Sequence, residues 1–243
     1  MGSVAEIESI MVVDGDAEGQ IVSALTGRAD MYRLLSGLYL RPLTQQQIDE
    51  LCGADFAKWQ GLNETFDAGL NDAIRYLAKS NSGTREELAV DYTSAFGGTK
   101  TVDGKSAVPF ESVFTSAYGL LCQDSFHQVR DMFRKAAVKK HEGDDVPDDH
   151  LSYLLEFSSS LTSRAIQSFE NGDSAAAAAD LRRTETCLRQ HMLPWFPDFS
   201  ERAMQLVQTR FYRGVLRMAI RENAPPPSAR PCAREAVGGS KGR

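Results

Sequence analysis

Residues 141–157, HEGDDVPDDHLSYLLEF, pass from an acidic segment directly into an apolar pattern. Leu151, Leu154 and Leu155 recur at the three- and four-residue spacing of a helix that buries one face, and Leu161 continues the stripe. Pro147 suits the first turn of such a helix, because a proline lacks the backbone N–H that stays unpaired there. The stretch therefore predicts a buried helix over about 147–170.

The same helical spacing recurs along most of the chain. Almost no run alternates apolar and polar residues with the period of two that a half-buried strand needs. Thr84 and Glu87 have the spacing of a capping box at the start of one helix. We therefore predict an all-α protein with a helical-bundle architecture. Its other helices are predicted at about 20–40, after Thr44, whose side chain is a candidate N-terminal cap, and at about 63–79, 84–97, 124–139, 174–192 and 198–222.

Composition divides the chain into five segments. Residues 1–20 and 223–243 are predicted to be flexible N-terminal and C-terminal tails, because they lack sustained helical spacing and are rich in small, polar and charged residues. Between them we predict an N-terminal helical part over 21–140, an acidic hinge over 141–148 and a C-terminal helical part over 149–222.

The overall composition argues against several classes of protein. The 243-residue chain has a net charge of −6, whereas a dedicated nucleic-acid-binding protein normally carries a basic surplus. Its four cysteines form no CxxC pair and no cluster at zinc spacing, so they indicate neither a disulfide framework nor a zinc site. No stretch has the length of a membrane span, and the acidic start does not match a signal peptide. The sequence thus predicts a cytoplasmic protein.

The five carboxylates in residues 142–149 admit several interpretations. Their spacing matches neither a calcium-binding loop nor an HExxH zinc motif. Asp149 and His150 would diverge by about 100° on a helix, so they do not readily form a catalytic dyad. A linker that leads into a helix explains one or two of the acids, but five of them repel one another. A cationic partner whose arginines pair with the carboxylates would explain the excess.

The apolar element VPFESVF, residues 108–114, follows a long polar loop. Pro109, Phe110, Val113 and Phe114 have a spacing that usually packs into a core. A proline–aromatic pair after a loop is also typical of a wall of a peptide-binding groove. A ligand that contacted both this element and the acidic segment would be partly basic and partly apolar.

Five stretches, in order over residues 30–215, resemble one known family. They are LYLRP (38–42), EELAVDYTSAFGG (86–98), VPFESVF (108–114), VPDDHLSYLLEF (146–157) and HMLPWFPDFSERA (191–203). Together they resemble the TorD/DmsD/NarJ family of redox-enzyme maturation chaperones. The resemblance implies an all-helical cytoplasmic chaperone with the TorD/DmsD architecture, without enzymatic activity and without a cofactor of its own.

The resemblance also implies a partner. Members of this family bind the twin-arginine signal peptide and the apo form of a molybdoenzyme precursor of anaerobic respiration. They assist insertion of the molybdenum cofactor and delay Tat export until insertion is complete. Neither nucleic acid nor stable membrane insertion is implied, and both a monomer and a homodimer formed by helix exchange stay open. Two alternatives are a helical scaffold or adaptor without leader specificity, and an enzyme whose site is assembled from Glu111, Glu156 and His191.

The resemblance places candidate site residues in two stretches. The signature proline, aspartate and histidine of the family fall on Pro147, Asp149 and His150. A proline–aromatic element falls on Pro109 and Phe110, where some members have tryptophan instead of phenylalanine. Our hypothesis is that the acidic segment attracts the arginine pair while the apolar wall covers the apolar part of the leader. The predicted signal-peptide-binding residues are Pro109, Phe110, Phe114, Asp145, Pro147, Asp149 and His150, and no catalytic or metal-ligating residue is predicted.

Overall fold

The computed structural model describes residues 4–61, 63–140 and 144–219, except for the side chains of residues 4–16 and 58. Within these ranges the chain is helical apart from its loops and one short antiparallel hairpin, so the predicted all-α class is confirmed. The α-helices are α1 (Val4–Leu40), α2 (Gln45–Gly53), α3 (Glu64–Leu77), α4 (Thr84–Ala95), α5 (Glu111–Thr115), α6 (Asp124–Lys135), α7 (Leu151–Glu170), α8 (Ser174–Cys187), α9 (Phe196–Leu206) and α10 (Arg210–Ala219). A 3-10 turn occupies Ala57–Trp59, and a π-helical turn, Leu188–Met192, follows α8 directly.

Helices from both halves of the chain pack against each other. α1 lies along α7, α3 lies along α10, and α7 also contacts α8. Buried apolar side chains of these helices form one cluster, in which Tyr39, Leu154 and Tyr212 are fully enclosed. Removal of this apolar surface from water is the main stabilising contribution to such a core. The predicted N-terminal and C-terminal helical parts therefore share a hydrophobic core.

α3 and α10 approach each other closely at Gly69 and Gly214. A Cβ atom at Gly69 would lie 2.6 Å from the carbonyl oxygen of Gly214, and a Cβ atom at Gly214 would meet the carbonyl oxygen of Gly69 still closer. One turn along α3, Asp72 pairs with Arg210 at 2.8 Å and also with Arg217. The two glycines thus permit backbone contact between the helices, and ion pairs flank that contact.

Aromatic side chains enclose the end of α1. The ring of Tyr39 lies edge-on to Phe96, with centroids 5.4 Å apart, and Phe96 lies edge-on to Tyr212 at 5.5 Å. The hydroxyl of Tyr92 donates to the carbonyl oxygen of Tyr39 at 2.8 Å. Burial raises the pKa of the Tyr39 and Tyr212 hydroxyls. Leu38 and Tyr39 of the LYLRP stretch are therefore part of the core, whereas Arg41 and Pro42 are exposed.

The first helix begins earlier than the sequence predicts. Residues 4–20 belong to α1, where a flexible tail over 1–20 was predicted. The side chains of residues 17–20 are exposed, so these four residues bury no apolar stripe that a sequence pattern could reveal. The predicted tail over 223–243 and residues 141–143 of the predicted hinge lie outside the described residues.

The helix predicted over 198–222 is interrupted, because α9 ends at Leu206 and α10 begins at Arg210. The carboxylate of Asp91 on α4 accepts hydrogen bonds from the backbone N–H groups of Gln208 (2.7 Å) and Thr209 (2.8 Å). The hydroxyl oxygen of Thr209 in turn accepts from the N–H of Tyr212 at 3.2 Å and so caps α10. The prediction of one continuous helix was wrong because its interruption depends on a distant carboxylate.

The structure supports one predicted N-terminal cap and corrects another. Thr44 and Gln47 form a reciprocal capping box at α2, with bonds of 3.2 and 2.9 Å. The box predicted for Thr84 and Glu87 is absent, because the Thr84 hydroxyl oxygen accepts from the N–H of Asn81 and Glu87 accepts from a tyrosine hydroxyl. Spacing alone did not distinguish the two cases.

The long polar loop before α5 contains the hairpin of β1 (Thr101–Val102) and β2 (Lys105–Ser106). Asp103 and Gly104 connect the strands with φ angles of 51° and 73°. An Asp-Gly pair with two positive φ angles is typical of a tight hairpin turn. None of the helices in the described part of the chain has the length and apolar character needed to cross a membrane.

Candidate functional site

Asp149 joins the start of α7 to the start of α5. Its carboxylate oxygen Oδ2 accepts a hydrogen bond from the backbone N–H of Ser112 at 2.9 Å, and its carbonyl oxygen accepts from the N–H of Glu111 at 3.0 Å. Both N–H groups lie in the first turn of α5, where a helix offers them no internal acceptor. Because the side chain of Asp149 is fully buried, the aspartate acts here as a cap for a helix that is distant in sequence.

His150 caps its own helix and contacts the VPF segment. Its Nδ1 atom accepts from the N–H of Ser152 at 3.1 Å, which makes His150 the N-cap of α7. The imidazole lies edge-on to the ring of Phe110 with centroids 4.7 Å apart, and the N–H of Leu151 donates to the carbonyl oxygen of Pro109 at 2.8 Å. Burial lowers the pKa of His150 to about 3, which keeps the imidazole neutral and Nδ1 available as an acceptor.

Pro147 lies before the helix rather than in its first turn. α7 begins at Leu151, so the predicted start near residue 147 was wrong. The carbonyl oxygen of Pro147 accepts from the N–H of His150 at 3.2 Å and forms a turn that leads into the cap. The helix begins later because His150, and not the proline, supplies the side-chain acceptor for the first turn.

Basic side chains neutralise part of the acidic segment. Asp144 pairs with Arg41 at 3.5 Å, and Asp148 pairs with Lys140 at 3.3 Å. The Tyr153 hydroxyl contributes most to a lowered pKa of the Asp144 carboxyl. Asp145, by contrast, has an exposed side chain. The prediction from the sequence treated the five carboxylates as unpaired, although Lys140 directly precedes the acidic segment.

Phe114 lies near the end of α5 and packs against Trp195 and α9. Its ring stacks on Trp195, with centroids 5.4 Å apart and an interplanar angle of 26°. The guanidinium of Arg202 covers the ring at 4.6 Å and donates to the carbonyl oxygen of Ser106 in the hairpin at 2.7 Å. Phe114 therefore packs between α9 and its preceding turn, within the fold.

Glu111 and His191, two of the three residues of the enzyme alternative, form a buried pair. The Nδ1 atom of His191, in the π-helical turn, lies 3.1 Å from Oε2 of Glu111. Burial raises the pKa of the Glu111 carboxyl, and His191 opposes this rise. The indole N–H of Trp195 donates to the carbonyl oxygen of His191. Glu156, the third residue of the enzyme alternative, is exposed on α7 and so is not part of this enclosed pair.

The seven predicted site residues thus fall into three groups. Asp149 and His150 meet Pro109 and Phe110 at a buried junction, to which Pro147 leads. Phe114, which lies in α5, packs on Trp195, and Asp145 lies exposed on the acidic segment. In the described part of the chain, no group of three or more His, Cys, Asp or Glu side chains is arranged to hold a metal ion. The junction arranges backbone segments and presents no exposed nucleophile or base.

Comparisons with known proteins agree with the resemblance in sequence. The family model described as nitrate reductase delta subunit matches residues 59–201. A chaperone protein TorD from Vibrio cholerae is 29% identical over 200 residues, which cover 79% of this chain and 87% of that protein. TorD chaperones from Vibrio vulnificus and Aliivibrio fischeri are each 25% identical, and each comparison covers 79% of this chain and 89% of the relative. These relatives are named as chaperones, in agreement with the prediction of a protein without enzymatic activity.

Proposed function

Because the chain belongs to the nitrate reductase delta subunit family, to which TorD-like chaperones also belong, we propose that it is a maturation chaperone for a molybdoenzyme precursor. The observation that carries this proposal is the similarity to TorD over 79% of the chain. The match to the family model over residues 59–201 extends from α3 into α9 and includes the junction of Asp149 with α5. In this proposal the protein works in the cytoplasm and holds the apoenzyme while the molybdenum cofactor is inserted.

We further propose that the chaperone binds the twin-arginine signal peptide of its client and so delays Tat export. Such a leader combines two arginines with an apolar stretch. Asp145 offers an exposed carboxylate for an arginine, since Asp144 and Asp148 already have basic partners within the chain. Pro147 directs the chain from this carboxylate into the buried cap.

The site residues at the junction, of which Phe110 is half-buried and the others are buried, have a different role in this proposal. Pro109, Phe110, Asp149 and His150 fix the spatial relation between the acidic segment and α5. Phe114 anchors α5 on Trp195. They are positioning residues, and their substitution would weaken leader binding through the geometry of the surface rather than through direct contact.

Peptide binding by the full-length protein tests the proposal. Fluorescence anisotropy would compare a labelled leader that has two arginines before an apolar stretch with a scrambled peptide of the same composition. We expect the ordered leader to bind about tenfold more tightly, because a specific site recognises the order of its groups. Equal affinities would mean attraction by charge alone, and the helical scaffold without leader specificity would then be favoured.

A charge-reversal pair tests the part assigned to Asp145. Asp145→Lys should weaken leader binding about fivefold at low salt and less at high salt, because salt screens the attraction. Glu170→Lys makes the same change of charge at the exposed opposite end of α7 and should leave affinity unchanged. Equal losses in both variants would assign the effect to net charge. In cells, an unprocessed molybdoenzyme precursor should copurify with the wild type and less with Asp145→Lys.

A further inference from the structure

The segment between α5 and α6 exposes large apolar side chains. Tyr118, Leu120 and Leu121 are 87%, 54% and 45% exposed. They account for three of the five large apolar side chains that the described part of the chain exposes, and the other two, Ile21 and Val90, lie on separate helices. A cluster of this kind differs from the scattered apolar residues of an ordinary surface, and it indicates a site of interaction. We call residues 118–121 the apolar loop.

The backbone holds the apolar loop in a defined conformation. The hydroxyl oxygen of Ser116 accepts from the N–H of Leu120 at 3.0 Å, and the side-chain amide of Gln123 donates to the carbonyl oxygen of Leu121 at 2.8 Å. Gly119 and Cys122 have φ angles of 64° and 57°, which turn the chain sharply at both positions. Local hydrogen bonds therefore present the side chains to solvent before any partner arrives, which reduces the entropy lost on binding.

A cavity of about 320 Å³ adjoins the apolar loop. It lies between the loop, the end of α5 and the start of α6, and Thr115, Ala117 and Ser125 contribute to its walls. Its volume is in the range of known ligand pockets. Among the described residues that line it, Asp124 is the one that carries a charge. An apolar ligand with a basic end therefore fits this surface better than an acidic ligand does.

From this geometry we propose that the apolar loop, with its adjoining cavity, is the docking surface for the apolar stretch of the client's leader. The inference rests on the proposed function and assigns it a surface that sequence reasoning did not find. The apolar wall predicted from the sequence lies at residues 109–114, where Phe114 is packed between Trp195 and Arg202. The apolar loop begins four residues after Phe114 and is exposed instead. Asp124, which lines the cavity, then supplies a negative charge for the basic end of the same peptide in addition to that of Asp145.

The test measures leader binding by the full-length protein with the double substitution Leu120→Ser and Leu121→Ser. We expect about a tenfold loss of affinity for the complete leader, since two apolar side chains lose their contacts. A second peptide keeps the two arginines but has serines in place of the apolar stretch, and its affinity should be the same for wild type and variant. Val90→Ser, which changes a 61% exposed side chain on α4, is the matched control and should bind like the wild type.

Each outcome has a definite meaning. The melting temperature of the variant should equal that of the wild type, because both leucines are exposed; the single variant Tyr118→Ser replaces the double variant if the latter fails to fold. Wild type that binds the ordered leader, together with a folded variant that binds it equally well, overturns this inference and leaves the proposed function intact. Wild type that binds no leader overturns both. A wild-type dimer that the variant dissociates without any change in leader affinity assigns the loop to a second copy of the chain and overturns the inference.

Discussion

The carboxylate of Asp149 and the backbone N–H of Ser112 are joined by a 2.9 Å hydrogen bond across 37 residues of sequence. The bond connects the end of the acidic segment to the start of α5, and both partners are fully buried. The last aspartate of the acidic segment is thus an internal cap of α5. This hydrogen bond fixes the position of the acidic segment relative to α5.

Asp149→Ala should lower the free energy of unfolding by about 2 kcal/mol, because the N–H of Ser112 would stay buried without an acceptor. Asp149→Asn retains an acceptor oxygen and should cost less. Asp145→Ala, four residues away and exposed, should change stability by less than about 0.5 kcal/mol. Urea denaturation of the three variants measures these differences. Similar losses of stability for Asp149→Ala and Asp145→Ala would contradict a stabilising role of the hydrogen bond between Asp149 and Ser112.

Removal of the α7 cap should also destabilise the fold. His150→Ala should lower the free energy of unfolding by about 1 to 2 kcal/mol, since it removes both the acceptor for Ser152 and the contact with Phe110. His150→Asn supplies another capping oxygen and should recover part of the loss. Thermal melts at pH 7 compare the two variants, and equal melting temperatures for wild type and His150→Ala would refute the cap.

The same histidine should make stability depend on pH. Its pKa falls from its ordinary value of 6.5 to about 3 in the folded state because of burial, so below pH 6.5 the unfolded chain takes up a proton that the folded chain does not. Stability from this group is therefore full above pH 6.5 and decreases as the pH falls towards 3. At pH 4 the loss should be about 3 kcal/mol relative to pH 7. His150→Asn does not titrate, so its difference from wild type across this range isolates the effect.

Glu111→Ala should cost about 3 kcal/mol, because it leaves His191 buried without its partner. Glu111→Gln keeps a hydrogen-bonding atom and should cost about 1 kcal/mol. The exposed pair of Glu185 and Arg189, 2.8 Å apart, is the control, and Glu185→Ala should cost less than about 0.5 kcal/mol. Chemical denaturation provides all three values. Equal effects at Glu111 and Glu185 would show that the buried pair contributes no more than a surface pair.

Alanine at the contact between α3 and α10 should destabilise the protein strongly. Gly69→Ala places a methyl group 2.6 Å from the backbone of Gly214, so the helices must separate, at a cost of about 2 kcal/mol or more. Gly37→Ala, on α1 with no atom near the added carbon, should instead stabilise the protein by about 0.5 to 1 kcal/mol. Opposite shifts in melting temperature are expected, and a stabilised Gly69→Ala would show that the close approach is not constrained.

The sequence predicts those features that depend on local spacing. Helical periodicity identifies the all-α class, and the cap at Thr44 follows from neighbours within one turn. The interruption between α9 and α10 depends on Asp91, 117 residues from Gln208, so no local pattern reports it. Arg41 and Asp144 are likewise far apart in the sequence, so no local pattern predicts their ion pair. The candidate site residues follow from motifs in the sequence, but whether their side chains are buried or exposed is a property of tertiary packing.

The pairing of α1 with α7 and of α3 with α10 has a consequence for the synthesis of the protein. Each pair unites an earlier helix with a later one, so the nascent chain has α2 but not α10 to pack against α3 until residue 219 has been translated. Contacts of such long sequence separation form slowly, and until they form the apolar faces of the early helices stay exposed. The contact between α3 and α10 can therefore form only after translation has passed residue 219, and until then α3 keeps exposed the apolar face that α10 later covers.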